Sequence, residues 1–394
     1  MLTNLFKRSG IYFSGLVASK IVTFIVYILL ARHFFPEKFG EVVFFMTLLQ
    51  TVTVAADFGL NQWYQKRADF ENKKMLFLKI TSARLFTLLI SIVLSFIVLW
   101  QAAWFSMPVL LLFIIALVPE AFVSITDGYY LEKKQSLRVA IKGASKMIVV
   151  LLGFFLMSQS LDVTFIIIFY IFGSALTALW SFPWLKVSHS SFSLNSVFKT
   201  LKESGAYATL ILTSFAYARG DSLIIRIFLN NTALGLYGSA YRYLESLSLL
   251  PTALSHNLFP ISAKREGITW HHLKKMLAIV IPVGLITSIF LYATSDFLII
   301  GILGEAYKSA VPVMQIFTVV LFLFFINAPL NTVVISSDHL HKFVPWGIAN
   351  TILNLVLNIL LIPFYGIIGA AVAMLVTELT GLLMNVYFVK KKFS

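Results

Sequence analysis

The chain is a succession of uninterrupted apolar runs, each about 20 residues long and joined by short polar segments, and this decides what its elements fold against. A run of that length as a helix crosses a hydrocarbon core about 30 Å thick. Backbone groups in lipid must be satisfied internally, which leaves helices or closed barrels. The runs lack the two-residue alternation of barrel strands, so helices are expected. Composition agrees: 59% of the 394 residues are hydrophobic and 12% are charged. Mean hydropathy is +0.88. A water-soluble core is the wrong frame for such a chain.

Twelve helices are expected, near 11–32, 40–60, 80–100, 107–127, 138–157 and 162–183, then near 205–228, 233–258, 275–294, 311–335, 342–362 and 366–389. The fold class is therefore an all-α polytopic membrane protein with two six-helix halves. The expected division is a lobe over 1–183, a cytoplasmic linker over 184–204 and a second lobe over 205–394.

An internal repeat supports the halving. Lys7-x-Ser9-Gly10-x-Tyr12 opens the first helix, and Lys202-x-Ser204-Gly205-x-Tyr207 opens the seventh, 195 positions later. The same offset relates Gly40 to Gly235. Pseudo-symmetry of this kind is a mark of transporters.

Lysine and arginine give the orientation. Of 31 basic residues, 22 fall at one set of helix ends, from Lys7 and Arg8 through Lys66, Arg67, Lys133, Lys134, Arg138, Lys142, Lys186, Lys264 and Arg265 to Lys390, Lys391 and Lys392. Three (Arg32, Lys38 and Lys308) fall at the other, and six lie within spans. By the positive-inside rule both termini are cytoplasmic. The +14 charge is thus mostly a topology signal rather than a nucleic-acid footprint, and no nucleic-acid partner is expected. Cysteine is absent, which excludes disulfides and thiolate metal sites. His271-His272 stands in a basic loop without a second ligand pair, so no metal site is expected. No Gly-x-x-x-x-Gly-Lys-Ser/Thr motif is present. The opposite loops, Gln101 to Ser106, Ser158 to Leu161 and Asn230-Asn231-Thr232, are short; the longest lies between Asp296 and Val311. No soluble catalytic domain is in view, so a transporter and not an enzyme is expected.

Ionisable residues at membrane depth are functional candidates by default. The basic candidates for substrate binding are Lys20, Lys146, Arg219, Arg226 and Arg242. Arg219 and Arg226 are seven apart and share a helix face with Ser222 between them, while Lys20, Thr23 and Tyr27 form a polar stripe on the first helix. Arg242 and Glu245, three apart, can pair. Asp57, Asp221, Glu245 and Glu378 are candidates for ion pairing or for carrying a coupling proton or sodium ion. A cavity acid flanked by arginines is poorly suited to carry a proton. Arg84, Asp127 and Glu41 sit near helix ends and are expected to snorkel. Two readings of these charges stand: interhelical ion pairs that hold the bundle together, or a water-filled cationic chamber between the halves. Pro251, Pro282, Pro312 and Pro329 are expected to kink or start helices.

The stretch Leu357-Asn358-Ile359-Leu360-Leu361-Ile362-Pro363-Phe364-Tyr365-Gly366-Ile367-Ile368-Gly369-Ala370-Ala371 reads as a sharp turn at Pro363 followed by a small-residue packing face. It resembles the corresponding stretch of polysaccharide transporters in the multidrug/oligosaccharidyl-lipid/polysaccharide exporter superfamily. Ala31-Arg32 to Phe39-Gly40, Asp57-Phe58-Gly59-Leu60, and Leu234-Gly235-Leu236-Tyr237 with Leu258-Phe259-Pro260 agree with it. The likeness is greatest to O-antigen (Wzx-like) flippases, and lipid II flippases of the superfamily carry two further helices. The resemblance implies a central cavity lined by helices 1, 2, 7 and 8, which here hold Lys20, Asp57, Arg219, Asp221, Arg226, Arg242 and Glu245. It further implies movement of undecaprenyl-diphosphate-linked oligosaccharide to the periplasmic leaflet of a bacterial inner membrane, for lipopolysaccharide or a similar polymer. A polymerase and chain-length machinery are the partners it implies, and the tyrosines Tyr27, Tyr217, Tyr241 and Tyr243 are candidates to stack on sugars. Rival readings are a drug or cation antiporter of the same fold, a membrane-embedded polymerase or glycosyltransferase, and a structural scaffold.

Overall fold

A computed structural model of the chain describes residues 2–68, 70, 72–157, 162–183, 193–255, 268–335 and 340–393. The expected loop Ser158 to Leu161, residues 184–192 of the linker, Lys186, Lys264, Arg265 and the Leu258-Phe259-Pro260 stretch lie outside the described residues.

Among the described residues the chain is helical, without strands. It runs α1 (Leu2–His33), α2 (Pro36–Asp57), α3 (Leu60–Arg67), α4 (Lys73–Ala102), α5 (Met107–Glu132), α6 (Ser136–Leu156) and α7 (Val163–Ser181). There follow α8 (Leu194–Phe228), α9 (Asn231–Leu247), α10 (Leu249–Ser255), α11 (Trp270–Ala293), α12 (Val311–Ile335) and α13 (Leu340–Phe393). Eight of these are long and apolar enough to cross a membrane. α1, α8 and α9 stand outside that set, and all three carry candidate charges. α13 is two spans run together, broken at Gly366 with φ 59° and ψ −140°, a conformation that glycine tolerates. The sharp turn expected at Pro363 is therefore three residues further on, and Pro363 itself lies inside the helix. The chain is a multi-pass helical membrane protein.

Caps set several boundaries. Asn72 accepts from the amides of Lys74 (3.1 Å) and Met75 (3.3 Å) to start α4, and Asn230 accepts from Ala233 N (2.9 Å) to start α9. Thr269 and His272 form a reciprocal capping box at the start of α11, which gives His272 a structural use. α8 begins at Leu194, so the end of the expected linker is helical. Between Asp296 and Val311 the expected loop is instead a π-helical turn, Phe297–Gly301, and a 3₁₀ turn, Glu305–Ala310. The eighth expected helix is interrupted at Ser248, three residues before Pro251. Pro282 and Pro329 lie inside α11 and α12.

Two compact units emerge from the packing. The first comprises Met1–Val26 and Phe45–Phe215, the second Tyr27–Phe44 and Ala216–Ser394. These units are defined by contact, whereas the expected lobes are defined by the repeat, and the two divisions need not coincide. In the first unit, α5 packs on α3, α4, α6 and α7. At its α2–α3 corner, Phe58 (φ 48°) and Gly59 (φ 73°) turn the backbone left-handed. A side chain at Gly59 would run into Tyr207 and Ala208 of α8, so the repeated Tyr207 motif docks on this corner. In the second unit, α12 packs on α9, α10, α11 and α13. Lipid is as apolar as leucine, so close fit and polar links, rather than escape from water, hold such packing together.

Candidate functional site

The second unit concentrates charge on α8 and α9. Glu245 lies two turns from Tyr237 and a single turn from Tyr241 on α9, which lines these residues along one face. Its two carboxylate oxygens hold different arginines: Arg219 of α8 at 2.9 Å and Arg242 at 2.7 Å. The Arg242 guanidinium stacks 3.7 Å from the centroid of the Tyr27 ring, and that of Arg219 lies 5.3 Å from the Tyr241 ring. A desolvated cation over an aromatic face gains about 2 kcal/mol. One carboxylate thus serves two cations, each with donors to spare. The Nε atoms of Arg242 and Arg226 are buried without a hydrogen-bond partner. Arg226 lies over the Phe44 ring at 5.2 Å. Asp221, between the arginines, accepts from Ser222 N (2.5 Å), Ser222 Oγ (3.1 Å) and the Tyr237 hydroxyl. The cluster therefore contains three arginines and two carboxylates.

A second polar centre lies among α8, α12 and α13. Glu378 accepts from the Tyr217 hydroxyl at 2.5 Å and from Asn327 Nδ2 at 3.0 Å. Asn385 donates to Asn327 Oδ1 (3.2 Å), and Asn354 donates to Thr377 Oγ1 (3.0 Å). Both hydrogen-bonding partners of this carboxylate are neutral. Asn350, Asn354 and Asn358 recur every four residues along an apolar helix, a stripe legible in the sequence that charge-based searching passes over.

The remaining candidates lie in the first unit, where Lys146 and Asp57 have partners. Lys146 holds Glu120 at 2.8 and 3.0 Å, and Ser174 donates to the same carboxylate at 2.6 Å. Asp57 accepts from Asn61 at 2.7 Å and faces Arg84 at 3.8 Å. Lys20 is half-buried on α1. Arg84 does not snorkel: it is 2% exposed and bonds Thr53 O (3.0 Å) and Ser124 Oγ (2.6 Å). Its charge is answered inside the bundle, so it has no need to reach the interface. Nor does Asp127 reach out unpaired; it meets Lys142, which also donates to Val123 O (2.8 Å) and Thr126 Oγ1 (2.7 Å). Lys142, counted among loop cations in the sequence, is buried. The candidate tyrosines have internal partners too: Tyr241 donates to Ala218 O (3.2 Å), Tyr243 to Leu298 O (2.8 Å), and Tyr217 to Glu378.

The chain as a whole has relatives among known proteins. The chain is 27% identical over 187 residues to "Probable flippase AglR" of Haloferax volcanii, covering 44% of this chain and 38% of that relative, so it spans well under half of AglR. It is 24% identical over 360 residues to "Probable low-salt glycan biosynthesis flippase Agl15" of the same organism, covering 87% of this chain and 74% of Agl15. Its fold is that of "Lipid II flippase MurJ, inward closed conformation", with TM-score 0.80, 16% identity and coverage of 96% and 87%. A multidrug resistance MATE family transporter of the MOP superfamily, in its inward-facing conformation, shares the fold more distantly, with TM-score 0.67, 13% identity and coverage of 95% and 96%. A family model described as "Polysaccharide biosynthesis protein" matches residues 5–266, more than half of the sequence. On that match the chain belongs to the polysaccharide biosynthesis protein family.

Proposed function

We propose that this protein is a flippase for lipid-linked glycans, a transporter that makes and breaks no covalent bond. The observation that carries the reading is the pair of arginines, Arg219 and Arg242, sharing the single carboxylate of Glu245. A glycan on a phosphate or diphosphate cannot enter hydrocarbon with its charge unpaired. Guanidinium groups replace water around phosphate oxygens two at a time. A bound diphosphate competes with Glu245 for donors already positioned. The resemblance to flippases and the names of the Haloferax relatives support lipid-linked glycan as the substrate class. Undecaprenyl diphosphate as the carrier, an O-antigen-like repeat unit as the cargo, the outward direction and a bacterial inner membrane with cytoplasmic termini are the finer form of the proposal. So are alternating access between 1–183 and 205–394, and partnership with a polymerase and chain-length machinery. Arg226 is assigned to the same cationic wall, and Lys20, on α1 of the first unit, is kept as a separate substrate-binding candidate. Lys146, held by Glu120, is assigned a lesser role.

Glu378, bonded by neutral donors, is the carboxylate best placed to take up a coupling proton or sodium ion, whereas Asp57 and Glu245 already face arginine and Asp221, though also bonded by neutral donors, lies in the field of Arg219. An antiporter for organic cations is disfavoured by the excess of arginine over carboxylate around Glu245.

The test is complementation of a strain deleted for the gene, with the sidedness of lipid-linked repeat units as readout. Restored wild type is expected to clear units from the cytoplasmic leaflet, and Arg219→Ala at normal membrane level is expected to leave them there. Surface polysaccharide unaffected by the deletion would overturn the proposal.

A further inference from the structure

We infer that the pocket between α3 and the start of α8 is a capture site for the phosphate-linked sugar head of the glycolipid, distinct from the arginine cluster of the second unit. This deepens the transport reading above and rests on it.

The pocket lies wholly in the first unit, has a volume of about 430 Å³, and is lined by Trp63, Lys66, Arg67, Phe70, Glu203 and Tyr207. Sites for small ligands span roughly 300–1,000 Å³. Its depth follows from helix length. α8 has 35 residues, and a hydrocarbon core about 30 Å thick takes up about 20 of them at 1.5 Å per residue. Counted back from Phe228, that stretch begins near residue 209. Glu203 and Tyr207 therefore stand just beyond the core, at the level of the lipid head groups. Lys66, Arg67, Lys199 and Lys202 mark this end as the cytoplasmic one.

The floor of the pocket is rigid. Asn61 ties α3 to α5, accepting from Gly128 N at 2.8 Å and donating to Ser124 O at 3.0 Å. Trp63 and Tyr64 are buried in one cluster with Phe77, Tyr129 and Tyr130, and Tyr207 packs against it. Two cations stand over these rings. The Arg67 guanidinium lies 5.5 Å from the Trp63 ring, and Lys66 Nζ lies 6.0 Å from that of Tyr207. One oxygen of Glu203 meets Arg67 at 2.9 Å, which leaves the other for a further donor. Among the described residues Lys66 makes no ion pair.

Aromatic residues alone are ordinary at a membrane surface. A concave set of rings carrying two cations and a carboxylate suits a ligand that is anionic, apolar on one face and hydroxylated. A sugar on a phosphate or diphosphate has all three properties. Arg67 can grip two phosphate oxygens while Lys66 answers the remaining charge. The C–H face of the sugar packs on the rings, and Glu203 accepts from its hydroxyls. Anionic glycerophospholipids supply the phosphate but lack the sugar ring, so the rings and Glu203 favour the glycolipid.

The sequence holds no cysteine, so Phe70→Cys gives the full chain a sole thiol at the pocket rim, where Phe70 is 85% exposed. In phosphatidylcholine nanodiscs, farnesyl-diphosphate N-acetylglucosamine is expected to slow its reaction with maleimide about tenfold, and Lys66→Gln to remove most of that protection, the loss of one charge-assisted bond. Arg219→Ala is expected to leave the protection in place. Protection lost in Arg219→Ala, or given equally by dihexanoyl phosphatidylglycerol or inorganic phosphate, overturns the inference. The second measurement keeps Phe70. Lys66→Gln is expected to raise the glycolipid concentration for half-maximal translocation in proteoliposomes about tenfold, with a smaller fall in maximal rate. The unfolding midpoint is expected to stay in place, since Lys66 holds no structural pair. No protection, or an unchanged half-maximal concentration in a protein that translocates, overturns the capture site and leaves the transport reading standing. If wild type moves no glycan while Phe70→Cys is still protected, the transport reading fails and the pocket stands.

Discussion

The two compact units bury the same kinds of side chain and treat them differently. In the first, Arg84 faces Asp57, Lys142 faces Asp127 and Lys146 faces Glu120, and each cation has further acceptors among carbonyls and hydroxyls. In the second, Arg219 and Arg242 divide one glutamate, Arg226 rests on a phenylalanine ring, and Glu378 is held by a tyrosine and an asparagine. A matched pair in a low-dielectric interior is neutral and has little to offer a ligand. Unsatisfied guanidinium donors occur in both units, on Arg84 as on Arg226 and Arg242, so what separates the second is the shared carboxylate, which leaves a net positive charge to meet an anion. Buried charge in a transporter is therefore informative by its stoichiometry, more than by its depth.

The largest effect expected from this contrast is on stability in the first unit. Lys146→Ala strands Glu120, which keeps only the neutral hydroxyl donors of Ser174 and Tyr170, and removing one partner of a buried pair costs about 3–5 kcal/mol. Thermal unfolding in detergent is expected to fall steeply, with reduced accumulation in membranes. Replacing both members, as Glu120→Leu/Lys146→Met, is expected to recover most of the loss, since an apolar pair of similar volume is often as stable as the ions it replaces. If the single and double variants are equally damaged, the pair is not the reason these helices cohere.

Arg242→Ala and Arg219→Ala reverse the pattern. Each leaves Glu245 with its other arginine, so unfolding shifts by about 1–2 kcal/mol. Translocation, however, is expected to drop about tenfold or more, the equivalent of a single charge-assisted bond of about 1.5–3 kcal/mol to the substrate phosphate. Arg242→Lys keeps the charge but loses the planar stack on Tyr27 and the two-oxygen grip, and is expected to fall between. Equal translocation in wild type and Arg242→Ala would move the phosphate site elsewhere.

Much of this architecture is legible in the sequence. Apolar run length finds the long helices but not all of their starts, since α1, α4 and α8 begin at Leu2, Lys73 and Leu194 against expected starts near 11, 80 and 205; the 195-residue offset anticipates Gly40 and Gly235 as equivalent positions, though not that they touch. The Arg242–Glu245 pair follows from helical spacing alone. What stays hidden is pairing between segments far apart in the chain. Arg84 reads as a helix-end cation because its acceptors, on Thr53 and Ser124, are 31 and 40 residues away. Lys142 reads as a loop cation because nothing local shows that Asp127 and Val123 lie opposite it. The turn at Gly366 is missed for a different reason: Pro363 carries the stronger local signal, yet proline only removes a donor, while glycine supplies the backbone angle the turn needs.

The finest comparison removes one hydroxyl from each of two buried glutamates. Ser174→Ala takes a 2.6 Å donor from Glu120, but Lys146 remains on both oxygens, so the expected cost is about 0.5–1.5 kcal/mol. Tyr217→Phe takes a 2.5 Å donor from Glu378 and leaves it with Asn327, and the expected cost is about 1–3 kcal/mol. The same subtraction therefore separates a carboxylate whose charge is already matched from one whose charge is not. If Glu378 binds a coupling cation, the loss in Tyr217→Phe is expected to shrink when unfolding is measured in that cation, because the ion takes over the role of the missing donor. Serial unfolding curves in sodium and in choline chloride make the measurement. Ser174→Ala is expected to show the same small loss in both salts, and a sodium effect of equal size in the two variants would remove the distinction between the two glutamates.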